Sequence, residues 1–122
     1  MDSHGKVSIE WIGDLFISST NGPFNEAGVK DSIVIIKTSI LNKNLKSWRR
    51  LEIWDEETLT SPEVFPLMKA TTQWYKIHGC YASAVVIKNN LQRYMVENLI
   101  KSGTPIFTEI DIAIAWLDEQ SP

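Results

Sequence analysis

Ser61 stands at the start of an apolar-periodic segment, with Pro62 and Glu63 behind it and Thr60 offering a second hydroxyl beside it. A hydroxyl at a helix N-terminus can do one of two things. It can cap, accepting a hydrogen bond from a free backbone N–H, or it can carry a phosphate that the same N–H groups and the positive end of the helix dipole would stabilise. Capping is the plainer reading for Ser61, with Thr60 and Glu63 as a competing capping box. Asp55, Glu56 and Glu57 lie close in sequence and would oppose an added phosphate. On the capping reading, Ser61→Ala should cost about 1 kcal/mol. The three acids themselves read as a solvated turn, because catalytic carboxylates need a cleft and a perturbed pKa. His78 and Cys80 are the nearest approach to a metal or nucleophile pair, yet two ligands do not make a site and His4 is remote in the chain. His78 fits a helix C-terminus, where a cation is favoured, and Cys80 fits a small buried apolar position. With no Gly-rich phosphate loop after a strand and no nucleophile elbow, the sequence predicts no catalytic residues, no metal and no cofactor, hence a non-enzymatic protein.

Five tryptophans are many for 122 residues. The bland reading has Trp11, Trp54, Trp74 and Trp116 filling or bordering the core, with Trp48 in a loop. The sharper one has Trp54 and Trp74 lining an apolar groove for a small ligand or lipid. Lys46, Arg49 and Arg50 form the one basic cluster, which is expected to solvate a loop. A net charge of −3 and a pI near 5.3 give no general attraction to nucleic acid or anionic lipid.

These residues must be positioned by one domain spanning residues 1–122, with 1–5 a mobile tail. A composition of 43% hydrophobic and 22% charged residues is that of a globular protein. No apolar run approaches the roughly 20 residues a membrane helix needs. The polar start has no signal-peptide core and the single cysteine fits a reducing compartment, so the expected location is the cytoplasm.

Alternation of Val7, Ile9 and Trp11, followed by Gly13-Asp14 and Leu15–Ile17, predicts a hairpin with a type II′ turn. Asn25 caps the next element, which carries both a β-branched run over 33–36 and a helical recurrence of Val29, Ile33, Ile36 and Ile40; helix is preferred. A strand over 51–55 places Glu52 and Trp54 on one face. After it comes a helix starting between Ser61 and Phe65, because Pro66 removes a backbone donor, with Leu67, Met68, Thr71 and Tyr75 on its apolar face and Gly79 as its stop. The run from Tyr81 to Ile87 predicts an interior strand. Asn89-Asn90 begins a helix with Leu91, Met95, Leu99 and the neighbouring Val96 and Ile100 inward. Pro105–Phe107 is a last strand, and the final helix has Ile112, Ala115 and Trp116 on or near its buried face. The order β-β-α-β-α-β-α-β-α implies an α/β fold with a mixed, mostly parallel five-stranded sheet flanked by helices.

This order resembles that of the SpoIIAA-like branch of the STAS domains, named for sulfate transporters and anti-sigma-factor antagonists. Local landmarks carry the likeness too: Gly22-Pro23-Phe24-Asn25-Glu26, Trp54-Asp55 before Thr60-Ser61-Pro62-Glu63, Leu91-Gln92-Arg93-Tyr94, and Phe107 before Ala115-Trp116-Leu117. The resemblance implies regulatory, non-enzymatic work on a protein partner, sometimes controlled by phosphorylation of a Ser or Thr that starts the helix after the third strand. By position that residue is Ser61, with Thr60 its neighbour. The family's Asp-Ser-Ser/Thr-Gly pattern is absent, and Pro62-Glu63 occupies its ground, so any phosphorylation site is degenerate. The resemblance leaves the partner unidentified and an oligomer open. The alternative function is a binding or carrier module for a small apolar ligand or lipid. The candidate binding or regulatory residues are therefore Ser61, Thr60, Asp55, Trp54, Trp74 and Asn25.

Overall fold

A short turn at Gly13-Asp14 starts the sheet. Gly13, at a φ of 59°, takes the position that needs positive φ. It joins β1 (Lys6–Ile12) to β2 (Leu15–Asn21) in an antiparallel pair with Trp11 opposite Phe16. We describe a computed structural model over residues 2–122. The β-branched run over 33–36 lies within α1 (Glu26–Lys43), because burying Val29, Ser32, Ile36 and Ile40 along one stripe satisfies the helical period. A strand would have driven half of that stripe to the wrong side. Asn44, in left-handed conformation, ends the helix and returns its N–H to Ile40 O at 3.3 Å.

The remaining elements are β3 (Trp48–Trp54), a 3-10 turn (Pro62–Val64) running into α2 (Phe65–Ile77), β4 (Cys80–Val86), α3 (Asn90–Tyr94) continuing as a π-helical stretch (Met95–Ile100), β5 (Ile106–Phe107) and α4 (Ile110–Asp118). The sheet order is β1-β2-β3-β4-β5, with every pair after the hairpin parallel. This is the mixed, mostly parallel α/β sheet that the alternation implies, with β4 interior between β3 and β5.

Register decides which residues meet. Phe16, Ser18 and Thr20 align with Arg50, Glu52 and Trp54, and Arg50 and Glu52 with Ser83 and Val85, all on one face. The opposite face carries Leu15, Ile17, Leu51, Ala84 and Val86, packed on Ala113 and Leu117 of α4. On the first face lie α1, α2 and the π-helical stretch, through Ile36, Ile40, Tyr75, Phe65, Met95 and Val96.

Several expectations are corrected by this packing. Trp48 is not in a loop: it begins β3, is 1% exposed, and donates its indole N–H to His78 O at 2.8 Å. Arg49 and Arg50 are strand residues held by carboxylates, and of the basic cluster only Lys46 lies in the loop. Leu91 and Leu99 face outward, 59% and 44% exposed, because the wider π turn and an inward Gln92 set the buried stripe at Gln92, Met95, Val96 and Ile100. In α4 the buried positions are Ala113 and Leu117, with Trp116 partly buried against the core and Ile112 and Ala115 exposed. Of residues 1–5, Met1 lies outside the described residues. His4 N–H donates to Asn25 Oδ1 at 2.9 Å, and Asn25 Nδ2 donates to Asp2 O at 2.7 Å.

Candidate functional site

The C-terminal edge of the parallel strands is shaped by the loop that leaves β3 at Asp55. The Asp55 carboxylate accepts from Thr58 Oγ1 at 2.7 Å, Glu57 N at 3.1 Å, Gly22 N at 3.3 Å and Asn21 Nδ2 at 3.4 Å. Burial raises its pKa, but these four donors outweigh burial and hold it below the usual carboxylate value. Asp55 thus ties the loop to the end of β2 and has little capacity left for a ligand. Gly22 is needed beneath it, since a Cβ there would stand 2.7 Å from Glu57 O.

Gln92, fully buried, braces the loop from the other side. Its Nε2 donates to Asp55 O at 2.7 Å and Thr58 O at 3.1 Å, while its Oε1 accepts from Lys88 N at 2.8 Å. Both amide ends are in use. Sequence reasoning missed this residue as an anchor, although Asn89 with a Gln three places on is a capping-box pattern; Asn89 Oδ1 does accept from Gln92 N at 2.9 Å. The loop so held exposes Glu56, Glu57, Pro62 and Glu63, with Ser61 half-buried among them.

Ser61 occupies the position before the 3-10 turn in extended conformation, but its side chain makes no capping bond. This corrects the capping expectation. Pro62 has no N–H to offer, and the hydroxyl turns to the Glu63 carboxylate, lowering that group's pKa. Thr60 points the other way: its Oγ1 is buried without a hydrogen-bond partner. Asn25 is a structural cap, accepting from Gly28 N at 2.8 Å.

The two tryptophans of the proposed groove are separated. Trp54 is 2% exposed and donates to Glu52 Oε2 at 2.8 Å. Trp74 instead stacks on His78 with ring centroids 3.9 Å apart, and Lys37 Nζ stands 5.1 Å from its ring. Trp54 does line a cavity of about 100 Å³ between β3 and the helices above it, whereas Trp74 does not. His78 ends α2 as expected, with Nδ1 2.9 Å from Trp74 O, and Cys80 is buried at the start of β4. Among the described residues no cluster of three or more His, Cys, Asp or Glu is placed to hold a metal, and no helix is long and apolar enough to cross a membrane.

Neither a protein-family model nor a curated protein matches this chain. A solved structure does. The phosphorylated form of the Bacillus cell fate determinant SpoIIAA aligns with a TM-score of 0.58 over 92% of this chain and 99% of its own, at 14% identity. The fold is a SpoIIAA-like STAS fold. At that identity the likeness is one of architecture, and it bears out the resemblance carried by element order. Within the SpoIIAA-like frame, the Asp55–Ser61 loop sits between the third strand and the helix that follows it.

Proposed function

We propose that this chain is a regulatory, non-enzymatic module that binds a protein partner through the C-terminal edge of its sheet. The observation that carries the reading is the loop from Asp55 to Glu63. Asp55 and Gln92 hold its backbone from both sides while Glu56, Glu57, Pro62 and Glu63 stay exposed. A loop ordered before binding loses little entropy on contact, which is how rigid scaffolds present recognition segments. The SpoIIAA-like fold supports the same class of work.

The exposed acids define the partner's chemistry as a basic patch, whose charges would speed and orient the encounter. Ser61 lies inside this surface with its hydroxyl free of any backbone capping bond, so a phosphate there would add to an already acidic face.

The test is partner capture with four baits: wild type, Glu57→Lys/Glu63→Lys, Ser61→Ala and Ser61→Asp. We expect charge reversal to abolish capture of at least one protein that wild type and Ser61→Ala both retain. An unchanged set of captured proteins on charge reversal would overturn the reading. Selective loss with Ser61→Asp would assign phosphorylation control to that hydroxyl, and retention would assign Ser61 to simple contact.

A further inference from the structure

The floor of the cavity is unlike an ordinary core. Arg50, on β3 and 4% exposed, lines it together with Glu52 and Trp54. The guanidinium lies 4.5 Å from the Tyr75 ring centre, donates Nε–H to Ser83 Oγ at 3.3 Å, and holds Nη1 3.5 Å from Glu52 Oε1. Those two long contacts engage only part of its donors, and a buried cation without a full set of partners is costly. At another point of the lining the Thr60 hydroxyl is buried and unpartnered. An unsatisfied acceptor-donor and an under-satisfied cation thus share one cavity, whose remaining wall includes the adaptable side chains of Met68 and Met95.

We propose that this cavity is a binding site for a small uncharged amphipathic molecule, a primary amide or alcohol of short chain, whose oxygen accepts from Arg50 and whose polar head engages Thr60. Three features select that class. Arg50 and Glu52 form a neutral pair, so a carboxylate ligand would bring an uncompensated charge beside Glu52 in a poorly solvated space. The apolar wall favours a hydrocarbon body. The volume of about 100 Å³ sets the size: an engineered apolar cavity of about 150 Å³ takes up benzene, and lipid-sized ligands need several hundred. The cavity lies beneath the loop and takes Thr58, Leu59 and Thr60 from its inner side, whereas the partner reading rests on the exposed Glu56, Glu57, Pro62 and Glu63; failure of ligand binding would leave capture by that outer surface intact.

Propionamide, 1-butanol and propionate are matched probes, the first and last differing in charge at nearly constant shape. Titration of each into the whole protein, followed by the methyl resonances of Met68 and Met95, should show saturable shifts with propionamide and 1-butanol at millimolar concentration. Propionate should bind at least tenfold more weakly at neutral pH. Thr60→Val, which keeps shape and removes the hydroxyl, should weaken propionamide at least threefold; Arg50→Met, where it folds, should weaken it further. Absence of saturation with the amide and the alcohol, propionate binding as well as propionamide, or no effect of Thr60→Val would each overturn the proposal and leave a water-filled void.

Discussion

The two faces of β3 both enter the interior and differ in the chemistry they bury. Toward α4, Leu51, Ala84, Val86, Ala113 and Leu117 are each fully buried and carry no polar side-chain atom. Toward α1, α2 and the π-helical stretch, the same strand presents Arg50 and Glu52, faced by Ser18, Ser83, Thr71 and Thr72 and by a cavity. A single short helix covers the dry face. The polar face carries most of the helical mass and still packs less completely. Hydrophobic burial alone would favour Leu or Val at position 50, since well-packed apolar replacements of buried ion pairs are often neutral or stabilising. The contrast teaches that one face holds the sheet together while the other holds something the fold itself does not require, and departures from local design rules concentrate where proteins work.

The largest expected effect lies on the dry face. Leu51→Ala removes a fully buried side chain from a cluster with nothing polar to relax into the gap. It should lower unfolding free energy by about 2–5 kcal/mol. Urea titration would measure it. A loss under about 1 kcal/mol would show that the dry face collapses around cavities, and the contrast between the faces would then be one of chemistry only.

Next comes Gln92, where the polar-face helices meet the loop. Gln92→Leu keeps the approximate volume and leaves Asp55 O, Thr58 O and Lys88 N without the amide. We expect a loss of about 1–3 kcal/mol, from stranded backbone groups and not from lost packing. Amide hydrogen exchange should also quicken over residues 55–60 in this variant and stay unchanged in β4. Uniform acceleration across the sheet would instead make Gln92 a general core residue and remove its special link to the loop.

That link also marks the limit of what was legible in the chain. Element order could be read because period-two and period-3.6 patterns are local: Val29, Ile36 and Ile40 outvoted the β propensity of the 33–36 run. Turn chemistry was local too, at Gly13 and Asn25. Arg49 and Arg50 looked solvated because charge is visible in a sequence, whereas their partners are not. Asp14 from the hairpin turn and Asp118 from the last helix clamp Arg49 at 2.8 Å each, both remote from it in the chain, and Tyr75 covers Arg50 from a helix formed later in the chain. Ser61 failed as a cap for a similar reason. Pro62 and Pro66 displace the regular helix to Phe65, so the hydroxyl faces a 3-10 turn and Glu63 competes for it. The Trp54–Trp74 groove assumed that proximity in the chain meant a shared wall; Trp74 points to His78 and Lys37 instead.

The smallest effect separates two carboxylates that both titrate low, at opposite ends of the strands. Asp14 is lowered chiefly by its hydrogen bond from Arg49, with Tyr81 adding a second at 3.1 Å. Among the described residues Asp55 meets no cation; burial raises it and hydrogen bonds from Thr58, Gly22, Asn21 and Glu57 more than reverse the rise. Each group therefore has a folded pKa below its unfolded value of 3.8. Such a group contributes stability that is present above the unfolded pKa and lost as pH falls through the folded one. Urea midpoints compared at neutral pH and below pH 3.8 should fall for the wild type, and Asp55→Asn and Asp14→Asn should each flatten part of that fall. Salt discriminates between them. Added salt should weaken the Asp14 contribution, which faces Arg49 near the surface, and leave the Asp55 contribution nearly unchanged, because hydrogen bonds to neutral donors are not screened as an ion pair is. If Asp55→Asn keeps the full acid sensitivity of the wild type, the carboxylate is not what holds the loop, and the rigidity assigned to the candidate surface must come from Gln92 alone.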